Sequence, residues 1–174
     1  MLWLFSIVTA AVTIAAAQSQ VKKEAIPGIT NFARLETTVA CAGAVTPSAV
    51  DEIKKMGFKA IFNLRLATEQ GADIEGETAA AKTAGINFFH LPLSGSSPDP
   101  KVVDSFLEAI MAAGNQPALI HCASGNRASA LWFIKRVIVD KWDTDRAMAE
   151  ATELGAMSQM MKTFALDYVQ THKK

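Results

Sequence analysis

A cysteine, a glycine and an arginine lie close together in this sequence, at Cys122, Gly125 and Arg127. An apolar stretch precedes them and a longer one follows, which predicts a strand, a tight turn and a buried helix. The amide groups of such a turn, together with the N-terminal end of the helix, bind an anion. The same field favours a cysteine thiolate, the nucleophilic form of the side chain. The planar fork of Arg127 can bind two oxygens of a phosphate or another oxyanion.

The turn supplies the other residues of this predicted anion site. An inert buried cysteine at a strand end is the alternative for Cys122, but Gly125 and Arg127 in the same turn argue against it. The sequence therefore predicts Cys122 as the nucleophile and Arg127 as the anion-binding side chain. The expected lining of the loop is His121, Ala123, Ser124, Gly125 and Asn126.

The segment from His121 to Arg127 resembles the phosphatase signature His-Cys-x-x-Gly-x-x-Arg followed by Ser or Thr, which is found in protein tyrosine and dual-specificity phosphatases. Over about residues 30–155, including the Phe-Asn-Leu-Arg stretch that ends at Arg65, the chain is most similar to the bacterial beta-lactamase-hydrolase-like, phosphatase-like domain. The resemblance implies a phosphatase-like fold and hydrolysis of phosphate monoesters through a Cys-phosphate intermediate. It also implies that His121 orients the loop rather than acting on the substrate.

The loop departs from that signature in two ways. Four residues separate Cys122 from Arg127, one fewer than in the phosphatases, and the next residue is Ala128 rather than a residue with a hydroxyl. Ser129 or Ser124 could replace the missing hydroxyl. A loop of this shorter length resembles the Cys-x-x-Gly-x-Arg loop of rhodanese-like sulfurtransferases, in which the cysteine carries a persulfide. A binding module for oxyanions or phospho-ligands, without turnover, is a further alternative.

A phosphatase also needs a general acid that protonates the leaving oxygen. Asp99 is the best candidate, because it lies in a loop after a predicted strand. Helix capping is the favoured alternative for Asp99, since Pro100 follows it. His90, at the end of that strand, is a second candidate for the acid.

Three further observations concern residues outside the loop. Arg65 could line the pocket, but pairing with the acidic residues that follow it is favoured. Cys41 could form a reversible disulfide with Cys122, but a small packed residue is favoured. The chain has three histidines and two cysteines, and none has the spacing of a metal site, so we predict no metal and no cofactor.

Short apolar strands that alternate with helices predict an α/β fold. We expect a mainly parallel central sheet with helices on both faces and a helical C-terminus. The predicted strands lie around residues 38–41, 59–63, 86–91 and 117–122, and the predicted helices lie at 46–57, 75–85, 103–114, 128–139 and after the caps Asp143 and Ser158.

The first 34 residues lack the alternation of strands and helices that the rest of the sequence predicts. An apolar run from Leu2 to Ala17 predicts a signal peptide over residues 1–17 and therefore export to the periplasm or beyond. An uncleaved membrane anchor and a mis-assigned start are the alternatives. Residues 18–34 are polar and predict a tether, so the catalytic domain is expected over residues 35–174.

The charge balance limits the partners. The chain has 17 basic and 17 acidic residues, so no net field attracts nucleic acid. We expect a small-molecule or phosphoprotein substrate, or a sulfane-sulfur donor, and no stable membrane insertion once a signal peptide is removed.

Overall fold

The computed structural model describes residues 21–173, so the predicted signal peptide lies outside the described residues. A single six-stranded sheet forms the centre of this region. Its strands are β1 (Val21–Ile26), β2 (Ile29–Leu35), β3 (Val39–Ala42), β4 (Ala60–Asn63), β5 (Asn87–His90) and β6 (Ala118–His121).

The spatial order of the strands is β1-β2-β3-β6-β4-β5. The four strands β3, β6, β4 and β5 are parallel to one another, whereas β1 and β2 form an antiparallel hairpin added at β3. Every residue of β3, β4 and β6 is buried. These short apolar runs are typical of parallel strands that are covered on both faces.

In residues 21–173, six α-helices surround the sheet. They are α1 (Val50–Lys55), α2 (Ile74–Ala84), α3 (Pro100–Met111), α4 (Asn126–Ile138), α5 (Thr144–Leu154) and α6 (Gln159–His172), with a 3₁₀ turn at Pro47–Ala49 before α1. Asp143 and Ser158 cap α5 and α6, as predicted, by accepting the amide hydrogens of Arg146 and Met161. Within residues 21–173, none of these helices combines the length and the apolar character needed to cross a membrane.

The helices divide between the two faces of the sheet. On one face, a hydrophobic cluster contains residues of α1 and α2 together with sheet residues such as Leu119 of β6. On the other face, a second cluster contains residues of α3, α4, α5 and α6 together with sheet residues such as Ile120 of β6. The predicted fold class, a mainly parallel sheet with helices on both faces and a helical C-terminus, is confirmed. Because side chains alternate along a strand, His121 faces α2 and Cys122 faces α4.

The predicted tether over residues 18–34 is wrong for its described part, because residues 21–34 belong to the hairpin of β1 and β2. Residues 21–34 therefore belong to the folded domain, which was expected to begin at residue 35. The strand β1 lies at the edge of the sheet and exposes residues 22–25 to solvent. Polar residues are typical of such an exposed edge strand, which is why the sequence resembled a tether. Gly28, at φ +77°, closes the turn between the two strands.

Candidate active site

The loop that carries Cys122 joins the end of β6 to the start of α4. Gly125, the residue before the helix, has φ +97°, a left-handed conformation that favours glycine. This turn brings the Gly125 amide to 3.2 Å from Cys122 Sγ. A donor in this position stabilises negative charge on the sulfur. Cys122 is completely buried at the base of the loop.

Neighbouring strands hold the loop on one side. The Cys122 amide donates to Ala42 O at 3.2 Å, which continues the pairing of β6 with β3. The side-chain amide of Asn31, in β2, donates to Ser124 O at 3.2 Å. The N-terminal hairpin therefore supports the loop directly.

Helix α6 holds the loop on the other side. Asn126 Oδ1 accepts the Ser158 amide at 2.7 Å, and Asn126 Nδ2 donates to Ser158 Oγ at 3.2 Å. The hydroxyl of Ser129 donates within the first turn of α4, to Gly125 O and Asn126 O, both at 3.1 Å. Ser129 is buried in these contacts and does not present its hydroxyl to Cys122.

Arg127 is buried and fixed by three partners on two other loops. Its Nη1 and Nη2 atoms bind the two carboxylate oxygens of Glu69, with Nη2 to Oε2 at 2.8 Å. Nη1 also donates to Leu64 O at 3.1 Å and to Leu93 O at 2.9 Å. Burial alone would lower the pKa of Arg127, but the hydrogen bond to Glu69 and the charge of Cys122 outweigh it and raise that pKa. The guanidinium is therefore a permanent cation with a fixed orientation.

Arg65 holds the loop that carries Glu69. Its fork donates to Gln70 O at 2.6 Å and to Gly71 O at 2.9 Å, and its Nε lies 3.4 Å from Glu69 Oε2. The Arg65 side chain thus forms its hydrogen bonds within its own loop. The sequence analysis favoured pairing of Arg65 with the acidic residues that follow it, and Glu69 is one of these.

Glu69 itself was not predicted as a site residue. One signal was present, because Arg65 and Glu69 directly follow β4, and β4 is the parallel neighbour of β6. The carboxyl ends of neighbouring parallel strands meet at the same edge of the sheet, so loops that follow them converge.

The ion pair of Glu69 predicts a pH-dependent stability. Burial alone would raise the pKa of Glu69, but hydrogen bonds from Arg127 and the Leu66 amide and the charge of Arg127 outweigh it and lower that pKa from 4.5 to about 2. Because the pKa is lower in the folded state, the stabilisation is complete above about pH 4.5 and is lost as the pH falls towards about 2.

We therefore expect Glu69→Gln to lower the free energy of unfolding at neutral pH, and the difference from the wild type to shrink as the pH falls from 5 to 2.5. Urea unfolding across that range measures it. Glu153→Gln, at an exposed position, is the matched control. A difference that stays constant with pH would contradict this assignment of Glu69.

The other residues predicted for the site are Asp99, His90 and Cys41, and the structure gives the surroundings of each. Asp99 is exposed, and its Oδ1 accepts the Lys101 amide at 2.9 Å, so it caps α3. His90 Nε2 lies 2.9 Å from Arg65 O. Cys41 is a fully buried free thiol, as Cys122 is. Burial, with the negative charges of Cys122 and Glu150, raises the pKa of Cys41 far above its ordinary value.

A groove of about 810 Å³ adjoins the loop. The hairpin of β1 and β2 forms one wall, with Lys23, Ile26 and Asn31, and the segment after α5 forms the other, with Gly155. Ser124 belongs to both the Cys122 loop and the groove, so the groove reaches the loop. Among residues 21–173, no three or more potential ligands from His, Cys, Asp and Glu cluster as a metal site.

The strand, the cysteine loop and the helix that follows it define a cysteine-phosphatase-like α/β fold. The family model described as beta-lactamase hydrolase-like protein, phosphatase-like domain, matches residues 31–139. The chain belongs to this family. It is 33% identical over 99 residues to the beta-lactamase hydrolase-like protein of Xylella fastidiosa strain Temecula1. The match covers 55% of this chain and only 22% of that longer relative.

Solved structures share the fold at lower sequence identity. TpbA of P. aeruginosa is 22% identical, with a TM-score of 0.65, over 89% of this chain and 91% of that chain. The core catalytic domain of the PP-IP phosphatase SIW14 of S. cerevisiae is 19% identical, with a TM-score of 0.65, over 82% of this chain and 87% of that chain. At these identities the likeness shows a shared fold.

Proposed function

We propose that this chain hydrolyses phosphate monoesters through a phosphocysteine intermediate on Cys122. The observation that carries the proposal is the cysteine loop, in which the Gly125 amide faces Cys122 Sγ and Arg127 is fixed by Glu69. Such a preorganised set of donors stabilises negative charge without further rearrangement. The phospho-ligand solved with TpbA, pTyr, supports a substrate of this chemistry.

The chemistry takes two steps. The Cys122 thiolate attacks phosphorus, the bond from phosphorus to the leaving oxygen breaks, and that oxygen takes a proton. Water then attacks phosphorus, the bond from phosphorus to sulfur breaks, and inorganic phosphate leaves with the thiolate restored. The bonds from Arg127 to Glu69, Leu64 O and Leu93 O all use Nη1 and Nη2, so Nε is our candidate donor to a phosphate oxygen. The adjoining groove offers room for the organic part of the substrate.

The leaving oxygen needs a proton, and Asp99 is our candidate donor. We expect Asp99→Asn to lower kcat about 10²-fold for esters with a basic leaving group, and less for esters with an acidic one. Stability should be kept, because asparagine also accepts the Lys101 amide. Steady-state kinetics on both ester types, with thermal unfolding as the control, measures this. An unchanged kcat on both esters would leave Asp99 with helix capping alone.

The direct test of the proposal is turnover of an aryl phosphate by the wild type, with Cys122→Ser as the control. Release of phosphate that depends on Cys122 supports the proposal. Turnover equal to that of the serine variant overturns it, and phosphate affinity retained without turnover would indicate a binding module instead.

Sulfur transfer is the second candidate, and three observations favour it. The loop is one residue short, the Ser129 hydroxyl is used within α4, and the Asp99 carboxylate caps α3. In this reaction the Cys122 thiolate attacks the outer sulfur of thiosulfate, and the S–S bond breaks to release sulfite. Cyanide then removes the outer sulfur as thiocyanate and restores the thiolate. No general acid is needed. Thiocyanate formation that depends on Cys122, without phosphate release, would select this reaction.

A further inference from the structure

A carboxylate and an imidazole lie buried directly behind the nucleophile. Glu77, on α2, and His121, at the end of β6, are both completely buried. The neighbouring core position on the same helix face is the small apolar Ala81. A buried carboxylate is costly unless a partner offsets its charge. Its presence in an alanine-rich helix therefore calls for a role.

The two side chains are in contact without a hydrogen bond between them. Glu77 Oε2 lies 3.0 Å from His121 Nε2, and Oε2 also accepts from Asn63 Nδ2 at 3.1 Å. Glu77 Oε1 and both ring nitrogens of His121 have no hydrogen-bond partner among residues 21–173.

The same carboxylate connects the two halves of the proposed site. One contact of Glu77 is to His121, the residue directly before the nucleophile. The other contact passes to Asn63, whose Oδ1 accepts the Arg65 amide at 2.8 Å. Arg65 opens the loop that carries Glu69, the partner of Arg127. Glu77 thus contacts the last residue of β6, which precedes the Cys122 loop, and the last residue of β4, which precedes the loop that carries Glu69.

We propose that Glu77 is a positioning residue for the Cys122 reaction, which holds His121 behind the nucleophile and fixes the Glu69 loop through Asn63. The inference rests on the proposed reactivity of Cys122, not on which substrate it attacks. Without Glu77, the ends of β4 and β6 lose the side chain that joins them, and the Gly125 amide loses its fixed position against Cys122 Sγ. A thiolate without that donor is less stable.

Other chargeable groups surround this pair. His90 of β5 and the Arg65 side chain lie at the neighbouring strand ends, and both are engaged with the loop after β4. Arg127 and Cys41 lie on the opposite face of the sheet from Glu77 and His121. From α1, Lys54 donates to Gly85 O at 2.6 Å, at the end of α2.

The test is the rate of Cys122 alkylation by iodoacetamide as a function of pH, read by mass spectrometry on the full chain. This rate follows the thiolate and needs no substrate. We expect Glu77→Gln, which keeps the size of the side chain, to move the midpoint of the profile to higher pH and to slow alkylation at neutral pH about tenfold. Glu75→Gln, at an exposed position on the same helix, is the matched control and should leave the profile unchanged.

Two outcomes would overturn the proposal. A midpoint that moves to lower pH means that Glu77 acts on the thiol only as a nearby negative charge and does not position the loop. An unchanged midpoint means that Glu77 only supports the fold. If Glu77→Gln unfolds, the double variant Glu77→Gln, His121→Gln places two neutral amides together and should show the same upward movement. A shifted profile in a protein that releases no phosphate would keep this inference and reject only the phosphatase reaction.

Discussion

Cys122→Ser is expected to lower turnover at least about 10³-fold, because a serine hydroxyl in this loop is a far weaker nucleophile than a thiolate. The effect should fall on chemistry alone. Serine has nearly the same shape, so the loop contacts that hold Cys122, such as its amide bond to Ala42 O, remain. The measurement is kcat/KM on an aryl phosphate and on thiosulfate with cyanide, together with the free energy of unfolding.

Cys41→Ala is the matched control for the nucleophile. Cys41 is also a buried free thiol on the same face of the sheet, but it lies within β3 rather than in the loop. We expect this variant to keep its activity within about threefold. Equal activity losses for the two cysteine variants would show a loss of packing rather than of a nucleophile.

Arg127→Lys should have the second largest effect. A lysine keeps the charge, but its single ammonium cannot bind both carboxylate oxygens of Glu69 together with Leu64 O and Leu93 O. We expect kcat/KM to fall about 10²- to 10³-fold, because the orientation of the cation towards the reacting group is lost. We also expect the free energy of unfolding to fall by about 1–3 kcal/mol, because buried carbonyl groups lose their donor. Steady-state kinetics and urea unfolding measure the two effects.

Arg146→Lys provides the control for this substitution. Arg146 is exposed on α5 and stacks on the Trp142 ring, away from the cysteine loop. It should leave kcat/KM unchanged. Full activity of Arg127→Lys would contradict the role of the bidentate clamp in the reaction.

The centre of the fold could be predicted from the sequence, because its elements carry local signals. The strand β6 is three buried apolar residues followed by His121, Gly125 supplies the left-handed turn, and α4 is apolar on most sides. The hairpin of β1 and β2 carried no such signal. Its exposed edge strand is polar, and it is stabilised by pairing with β3 and by the Asn31 contact to Ser124 O, both of which join residues distant in sequence.

The charged partners at the site could not be assigned from the sequence. Four acidic residues follow Arg65, and each has a different position. Glu69 binds Arg127, Asp73 caps α2 by accepting the Gly76 amide, Glu75 is exposed, and Glu77 is buried against His121. All four are carboxylates in one stretch of chain, so residue type does not distinguish them. The path of the loop after β4 decides between them, and that path depends on contacts to β6 and α4.

The mass of Cys122 during turnover tests the central claim most directly. The full chain is mixed with an aryl phosphate, quenched with denaturant at alkaline pH within the first turnover, and the peptide that contains Cys122 is weighed, with Cys122→Ser treated in the same way. We predict a transient gain of one phosphoryl group on Cys122 and none in the serine variant. A gain of one sulfur atom after treatment with thiosulfate would assign the same thiolate to sulfur transfer. A Cys122 peptide that never changes mass with either donor would contradict its role as the nucleophile.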